Sequence, residues 1–344
     1  MIGSSRLQAL SQYHLSRKGE DVNIVAPLAF DDLPLEWDAK LGPYQMPDFQ
    51  VAELANVSLC GPALVGIKAG DIVLDVGYYG RVDLWERNAA YFDMAMQAIR
   101  MPPIELDCAV SLVSCWSGNY FHWVLDELPK MEGVLWYACR RGIKPTLLIP
   151  QGISFAKASI ARFYPQFDVI QVPCGIIHYR VNRLIVVTTR RHRGRMAPSA
   201  LSYLGGLSAN VHQAFTTPKI YIRRASPTRR VVNDDAVIEY LLGRGFTVLQ
   251  NELMDFDEQV QRYAHATCVV GMHGAGLANI AWSNALRSVV EIVTPDYSNP
   301  CCWLVGQHIS ERYGIVMGAP AEQAEDVIVD IHKLGNVLDA LEGR

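Results

Sequence analysis

His273-Gly274-Ala275-Gly276-Leu277-Ala278-Asn279 follows an apolar run, Thr267-Cys268-Val269-Val270-Gly271, and leads into Ile280-Ala281-Trp282. The run has the length and β-branched content of a short buried strand, and the small residues after the glycines continue as a helix. A strand that turns through glycines into a helix start belongs to an α/β sheet, so this stretch sets the fold class. It also leaves backbone N–H groups without intrahelical acceptors. Together with the positive end of the helix dipole, those donors make a site for phosphate. Upstream, Arg223, Arg224, Arg229 and Arg230 place four guanidinium groups within eight residues. Such cations repel one another unless an anion lies nearby, and each planar fork can meet two phosphate oxygens at once.

The surrounding sequence keeps an α/β rhythm. Ile220-Tyr221-Ile222 reads as a strand, Asp234 to Arg244 as a helix, Phe246 to Leu249 as a strand and Phe256 to His265 as a helix. Ser288 to Val293 is a further strand, a helix starts near Cys301, and Val327 to Leu341 reads as a strand and a closing helix. In the first half, Ala109 to Val113, Thr146 to Ile149, Val169 to Val172 and Leu184 to Val187 are strands, with a long helix from about Asn119 to Arg141. Val51 to Arg81 alternates apolar runs with glycine, the pattern of antiparallel hairpins. Pro27, Pro34, Pro43 and Pro47 break periodicity before it. A basic run from Arg190 to Arg195, then Pro198 and Gly205-Gly206, marks a junction. The expected division is an extension with β-hairpins at 1–105, a Rossmann-like domain at 106–215 and a second one at 216–344. Two such domains facing each other form a cleft, and doubly wound sheets bind ligands beyond the carboxyl ends of their strands. The HGAG turn and the arginines both follow strands, so they should converge.

The bulk numbers exclude several classes. At 344 residues, half of them apolar and 19% charged, the chain has the composition of a globular protein with room for two domains. A net charge of −4 is not the basic excess of a nucleic-acid binder. No window reaches the roughly 20 apolar residues of a spanning helix, and Met1 to Lys18 lacks the apolar core of a secretory signal. The eight cysteines include no C-x-x-C pair, and no histidine pairs with them at ligand spacing. Free thiols in a reducing cytosol, with no structural zinc, are expected.

Longer stretches resemble glycosyltransferase family 61. They are Tyr221-Ile222-Arg223-Arg224 with Arg230-Val231-Val232-Asn233-Asp234, Gln259 to Ala266, Val270 to Asn279, and Val289-Val290-Glu291-Ile292. In the first half, Asn119-Tyr120-Phe121-His122-Trp123-Val124-Leu125-Asp126-Glu127-Leu128-Pro129 resembles that family's H-W-x-x-D segment. The resemblance runs from about Ser117 to Val293. Arg223 replaces the usual serine and Asp234 the common glutamate. The resemblance implies an inverting, metal-independent enzyme of GT-B fold, its N-terminal domain on the acceptor side and its C-terminal domain binding the nucleotide-sugar. It also implies a capsule or exopolysaccharide context in a bacterium, a cytoplasmic location, and a peripheral contact with the inner membrane or an assembly complex.

Glycosyl transfer requires a stabilised leaving diphosphate, a base for the acceptor hydroxyl, and exclusion of water. The first task falls to Gly274, Ala275 and Gly276 with Arg224 and Arg230; Asn233, His273, Asn279 and Glu291 complete the expected donor site, Glu291 as partner of a ribose diol. His122 and Asp126 lie four apart on one helix face, and Asp126 is the preferred base with His122 positioning it or the acceptor; the reverse assignment stays open. Trp116 and Trp123 lie close enough in sequence to stack on a sugar. Asp255-Phe256-Asp257 has the spelling of a metal motif, but its place at a helix start reads as capping, so no essential metal is expected. No cofactor is implied, since the nucleotide-sugar, with uridine the expected base, is a substrate. A sugar-nucleotide epimerase or hydrolase, and a non-catalytic nucleotide-sugar-binding subunit, are the competing readings.

Overall fold

The computed structural model describes residues 1–211, 217–297 and 299–343. Its contacts divide the chain into two compact units: Met1–Gly19 with Pro47–Arg190, and Glu20–Met46 with Arg191–Arg344. The expected boundary at 215 lies outside the described residues. The one expected at 105 falls inside a strand, Ile104–Ser111.

The first unit is built on an eight-stranded mixed sheet. In chain order its strands are β1 (Tyr13–Arg17), β2 (Phe49–Cys60), β3 (Val65–Lys68), β4 (Asp71–Val73), β5 (Ile104–Ser111), β6 (Thr146–Pro150), β7 (Val169–Val172) and β8 (His178–Val187). The spatial order is β4-β3-β2-β8-β5-β6-β7, with β1 also beside β2. β8 is the seam: it pairs antiparallel with β2 and parallel with β5, and the parallel set continues through β6 to β7. The hairpins of residues 49–73 therefore supply three of the eight strands of this sheet and are not a separate extension. The reason is visible in burial. β2 and β8 are buried along most of their length on both faces, and a strand of that kind must lie inside a sheet. Leu54, Val57, Ala109, Leu148, Val181 and Leu184 meet in its core.

The long helix expected from Asn119 is interrupted. Asn119 caps Tyr120–His122 by accepting the Phe121 N–H, a π-helical segment covers Trp123–Glu127, and an α-helix resumes at Lys130–Arg141. Pro129 has no N–H to offer the carbonyl of Leu125, so the regular ladder cannot pass through it. The Leu128 N–H bonds instead to the Trp123 carbonyl, five residues back, at 2.9 Å.

The second unit carries an all-parallel sheet of five strands: β9 (Lys219–Ile222), β10 (Thr247–Leu249), β11 (Cys268–Met272), β12 (Ser288–Val293) and β13 (Arg312–Met317). Their spatial order is β10-β9-β11-β12-β13, the flavodoxin-like doubly wound order, whose topological switch point lies between β9 and β11. β13 escaped the sequence reading because Gly314 breaks its apolar run. That glycine faces Val337 and Leu341 of the closing helix, Ile331–Glu342, too closely for any side chain. Among the described residues no helix is long and apolar enough to cross a membrane.

Asp75, just after β4, gives the first unit a testable pH dependence. Its Oδ1 accepts from the Ser4 hydroxyl at 2.7 Å, while the buried Oδ2 has no partner among the described residues. Burial raises its pKa from 3.8 to about 6, against smaller lowering contributions from Ser4 and Lys130. The folded form thus holds the proton more tightly than the unfolded chain. Stability is intact below pH 3.8 and falls as Asp75 ionises toward pH 6, by about 2–3 kcal/mol. Urea unfolding of wild type and Asp75→Asn across this window should show the loss in wild type only. Parallel profiles for the two proteins would contradict it.

Candidate functional site

The carboxyl ends of β9 and β11 carry the two motifs singled out in the sequence, Arg223-Arg224 after Ile222 and His273-Gly274 after Met272. The structure brings them together. A Cβ placed on Gly274 would lie 2.2 Å from Arg224 Nη1, so the guanidinium occupies the space that any other residue at 274 would fill. Arg224 Nε donates to the Thr228 carbonyl at 3.0 Å. Among the described residues it has no carboxylate partner within ion-pair distance. The other three arginines do: Arg223 with Asp234 at 2.8 Å, Arg229 with Glu325 at 3.6 Å and Arg230 with Asp326 at 2.7 Å. Burial, and then Arg229, pull the Arg224 pKa downward, yet a guanidinium stays a cation at physiological pH. A cavity of about 460 Å³ lies here, lined among others by Arg223, Arg224, Arg230, Asp234 and Gln250.

The turn after β11 differs from the α-helical start expected. Ala275–Trp282 is a 3₁₀-helix. Side-chain amides of Asn279 and Asn251 both donate to the Gly276 carbonyl, at 3.2 and 3.4 Å, and so compete with a main-chain i→i+4 bond. The N–H groups of Gly274, Ala275 and Gly276 take no backbone acceptor outside regular elements among the described residues. They remain available to an anion.

Several expected donor ligands have structural work instead. Asn279 is fully buried; its Nδ2 also donates to Gln259 at 2.9 Å and its Oδ1 accepts from Trp282 Nε1. Asn233 bonds the backbone of Val329 with both ends of its amide. Arg230 lines the cavity but is clamped by Asp326 and Gln323. Glu291, expected to meet a ribose, is fully buried and accepts from His273 Nδ1 and from the Tyr313 hydroxyl at 2.8 Å. A strand interior in a five-stranded sheet leaves it no route to a sugar.

His273 is the second cation of the site. Burial pulls its pKa down, but hydrogen bonds to Cys301 and Glu291 and the Glu291 charge lift it to about 9. Its imidazolium therefore sits directly behind the turn. Cys302's hydrogen bond and the neighbouring imidazolium hold the Cys301 thiol well below its ordinary range, against burial, while Cys302 is pushed up. Ligand-type atoms of His273, Cys301 and Cys302 lie within 4.8 Å of one another. Sequence spacing could not show this grouping, which only the fold creates. Asp255, in contrast, caps its helix by accepting the Glu258 N–H at 2.8 Å, as its position implied.

In the first unit, His122 Nδ1 and Asp126 Oδ2 are 2.7 Å apart. The Asp126 side chain is 2% exposed and that of His122 19%. Trp116 packs on the imidazole with ring centroids 4.5 Å apart, whereas Trp123 is core, its indole N–H bonded to Ser159. Beneath lies a group the sequence reading did not single out. The fully buried Glu127 accepts from the hydroxyls of Tyr79 and Ser114, at 2.8 and 2.6 Å, and from Lys130 Nζ at 2.7 Å. Its place next to Asp126 in the motif was the one signal available. The π segment Trp123–Glu127 contains both carboxylates, and such bulges often occur at functional sites.

His122, Asp126 and Glu127 in the first unit, and Arg224, His273 and Gly274 in the second, fall within one recognisable region. No curated protein matches the chain, but a family model described as Glycosyltransferase 61 matches residues 120–290, from the start of the His122 helix into β12. Over residues 120–290, just under half of the chain, the sequence is thus similar to glycosyltransferase family 61.

Proposed function

We propose that the protein is an inverting, metal-independent glycosyltransferase, its two units corresponding to the two domains of a GT-B enzyme. Its donor is a nucleoside-diphosphate sugar, with uridine the expected base, and its acceptor a glycan hydroxyl in polysaccharide assembly. The observation that carries the reading is Arg224, a half-buried guanidinium without a carboxylate partner among the described residues, pressed against Gly274 at the switch point of a doubly wound sheet. A cation so placed calls for an anion, and the free N–H groups of the turn suit the same ligand.

In the proposed reaction a base takes the proton of the acceptor hydroxyl and the oxygen attacks the anomeric carbon. The bond from that carbon to the diphosphate breaks on the opposite face, and the leaving diphosphate takes the electron pair. Arg224 and the amides of Gly274, Ala275 and Gly276 meet the charge as it develops. His273 adds a positive charge behind them. Arg230 stands at the cavity rim.

For the base, burial favours His122 over the Asp126 preferred from sequence. Asp126 is almost wholly enclosed and bonds Nδ1, so it orients the ring, and Nε2 is the nitrogen assigned the acceptor's proton. Glu127, held by Tyr79, Ser114 and Lys130, braces the π segment that presents the pair.

Calorimetry with uridine diphosphate should give binding to wild type and a loss of about 10–100-fold in Arg224→Ala, the range for a charge-assisted hydrogen bond. Wild-type affinity in that variant would remove the diphosphate from this turn. Arg230→Ala should show its main effect in thermal unfolding, because it frees the buried Asp326.

His122→Ala and Asp126→Asn should retain nucleotide binding and lose roughly 10²–10⁴ in transfer rate, the span of general-base catalysis. Unchanged turnover in His122→Ala would dismiss it as the base. Donor consumption that is indifferent to any added acceptor would favour the hydrolase reading.

A further inference from the structure

We propose that His273, Cys301 and Cys302 form a site for a thiolate-preferring cation of the zinc(II) type, seated behind the glycine turn. The three ligand atoms lie within 4.8 Å of one another. In a tetrahedral zinc site, sulfur at about 2.3 Å from the metal gives ligand–ligand edges of about 3.8 Å. Small side-chain rotations close that difference.

The surroundings complete the pattern of a metal-binding histidine. Nδ1 of His273 is engaged by Glu291, which the Tyr313 hydroxyl holds in turn. That leaves Nε2 as the ligand nitrogen and fixes the ring by the carboxylate–histidine arrangement that zinc sites use. Two sulfurs and an imidazole select a soft or borderline ion, and Glu291, already bonded through both oxygens, offers nothing to magnesium or calcium. Cys302 is fully buried, its Sγ 3.9 Å from the Gly274 carbonyl, and Cys301 is half-buried, so a cation would enter from the Cys301 side.

The cation would tie the start of the Cys301–Gly306 helix to the turn that follows β11. Its role is structural: on binding it displaces the Nε2 proton of His273 to solvent, keeps a positive charge behind the turn in place of the imidazolium and sets the shape of the turn, and no step of transfer passes through it. The inference stands without the glycosyltransferase reading, since it uses only the side chains around His273.

The test uses the full chain, stripped with a chelator and titrated with cobalt(II), then zinc(II). Stoichiometric cobalt binding with thiolate charge-transfer bands and the intense visible bands of a tetrahedral ion is expected, with displacement by zinc. Cys301→Ser should abolish those bands and Glu291→Gln should weaken binding roughly 10–100-fold, while Cys139→Ser, at an exposed cysteine, should leave them unchanged. A measurement on wild type needs no variant to fold: zinc should protect Cys301 and Cys302 from alkylation, read by peptide mass spectrometry. The inference is overturned if no saturable cobalt spectrum forms, if the spectrum survives in Cys301→Ser, or if zinc leaves alkylation of Cys301 unchanged. Uridine-diphosphate binding measured in parallel on the zinc-loaded protein separates the outcomes, because failure of nucleotide binding with an intact cobalt spectrum would sink only the donor assignment.

Discussion

The close approach of Arg224 to Gly274 is the constraint on which the second unit's chemistry depends. It exists because β9 and β11 are neighbours while the chain leaves them in opposite senses, β9 toward β10 and β11 toward β12. Where the winding reverses, the connections diverge and a crevice opens at the carboxyl ends. The residue at 274 must then be small. Its backbone is extended, at φ 161, which any residue adopts, so the demand for glycine is one of space and not of dihedral angle. The guanidinium fills that space, and three neighbouring arginines are neutralised by Asp234, Glu325 and Asp326. One positive charge is left facing the cavity.

The buried groups behind the turn make sense in the same terms. A carboxylate enclosed in a sheet is costly unless its oxygens are matched, and Glu291 is matched by an imidazolium and a phenol. Each of those is shifted by it: the Glu291 charge helps to lift His273, and it helps to push the buried Tyr313 well above its usual range, after desolvation. Asn279 and Asn251 form a second buried set whose amides both donate to the Gly276 carbonyl, and Gln259 accepts in turn from Asn279.

What the sequence disclosed divides by the range of the interaction. The strand–glycine–helix pattern at Cys268 to Trp282 and the parallel rhythm after Ile220 are local signals, and the sheet they imply is present. The nearness of Arg224 to Gly274 followed from both lying after strands of one sheet. Roles that depend on long-range partners were not legible. Nothing local distinguishes Arg224 from Arg230; only the distant Asp326 makes one a clamp and leaves the other without an acid. Asn233 and Asn279 have the polarity of ligand residues, and their partners Val329 and Gln259 lie far along the chain. The unity of residues 49–73 with the later parallel strands was hidden because β8 joins them across more than a hundred residues.

The first unit shows how a local rule, when broken, marks a site. His122 and Asp126 have the spacing of one face of a regular helix, yet the helix between them changes from α to π, and Pro129 ends it. A π turn widens the helix and costs hydrogen-bond quality, so tertiary contacts must hold it. Glu127 supplies them: its carboxylate gathers Tyr79, Ser114 and Lys130, and the Lys130 ammonium lies 5.1 Å over the Tyr79 ring. Tyr79 itself has a left-handed backbone, at φ 54, a conformation unfavourable for a bulky residue. Strain in two segments is thus offset by one buried ion pair. The outcome is an imidazole pinned at Nδ1 by an enclosed aspartate and flanked by Trp116, so that its orientation is set by the fold itself.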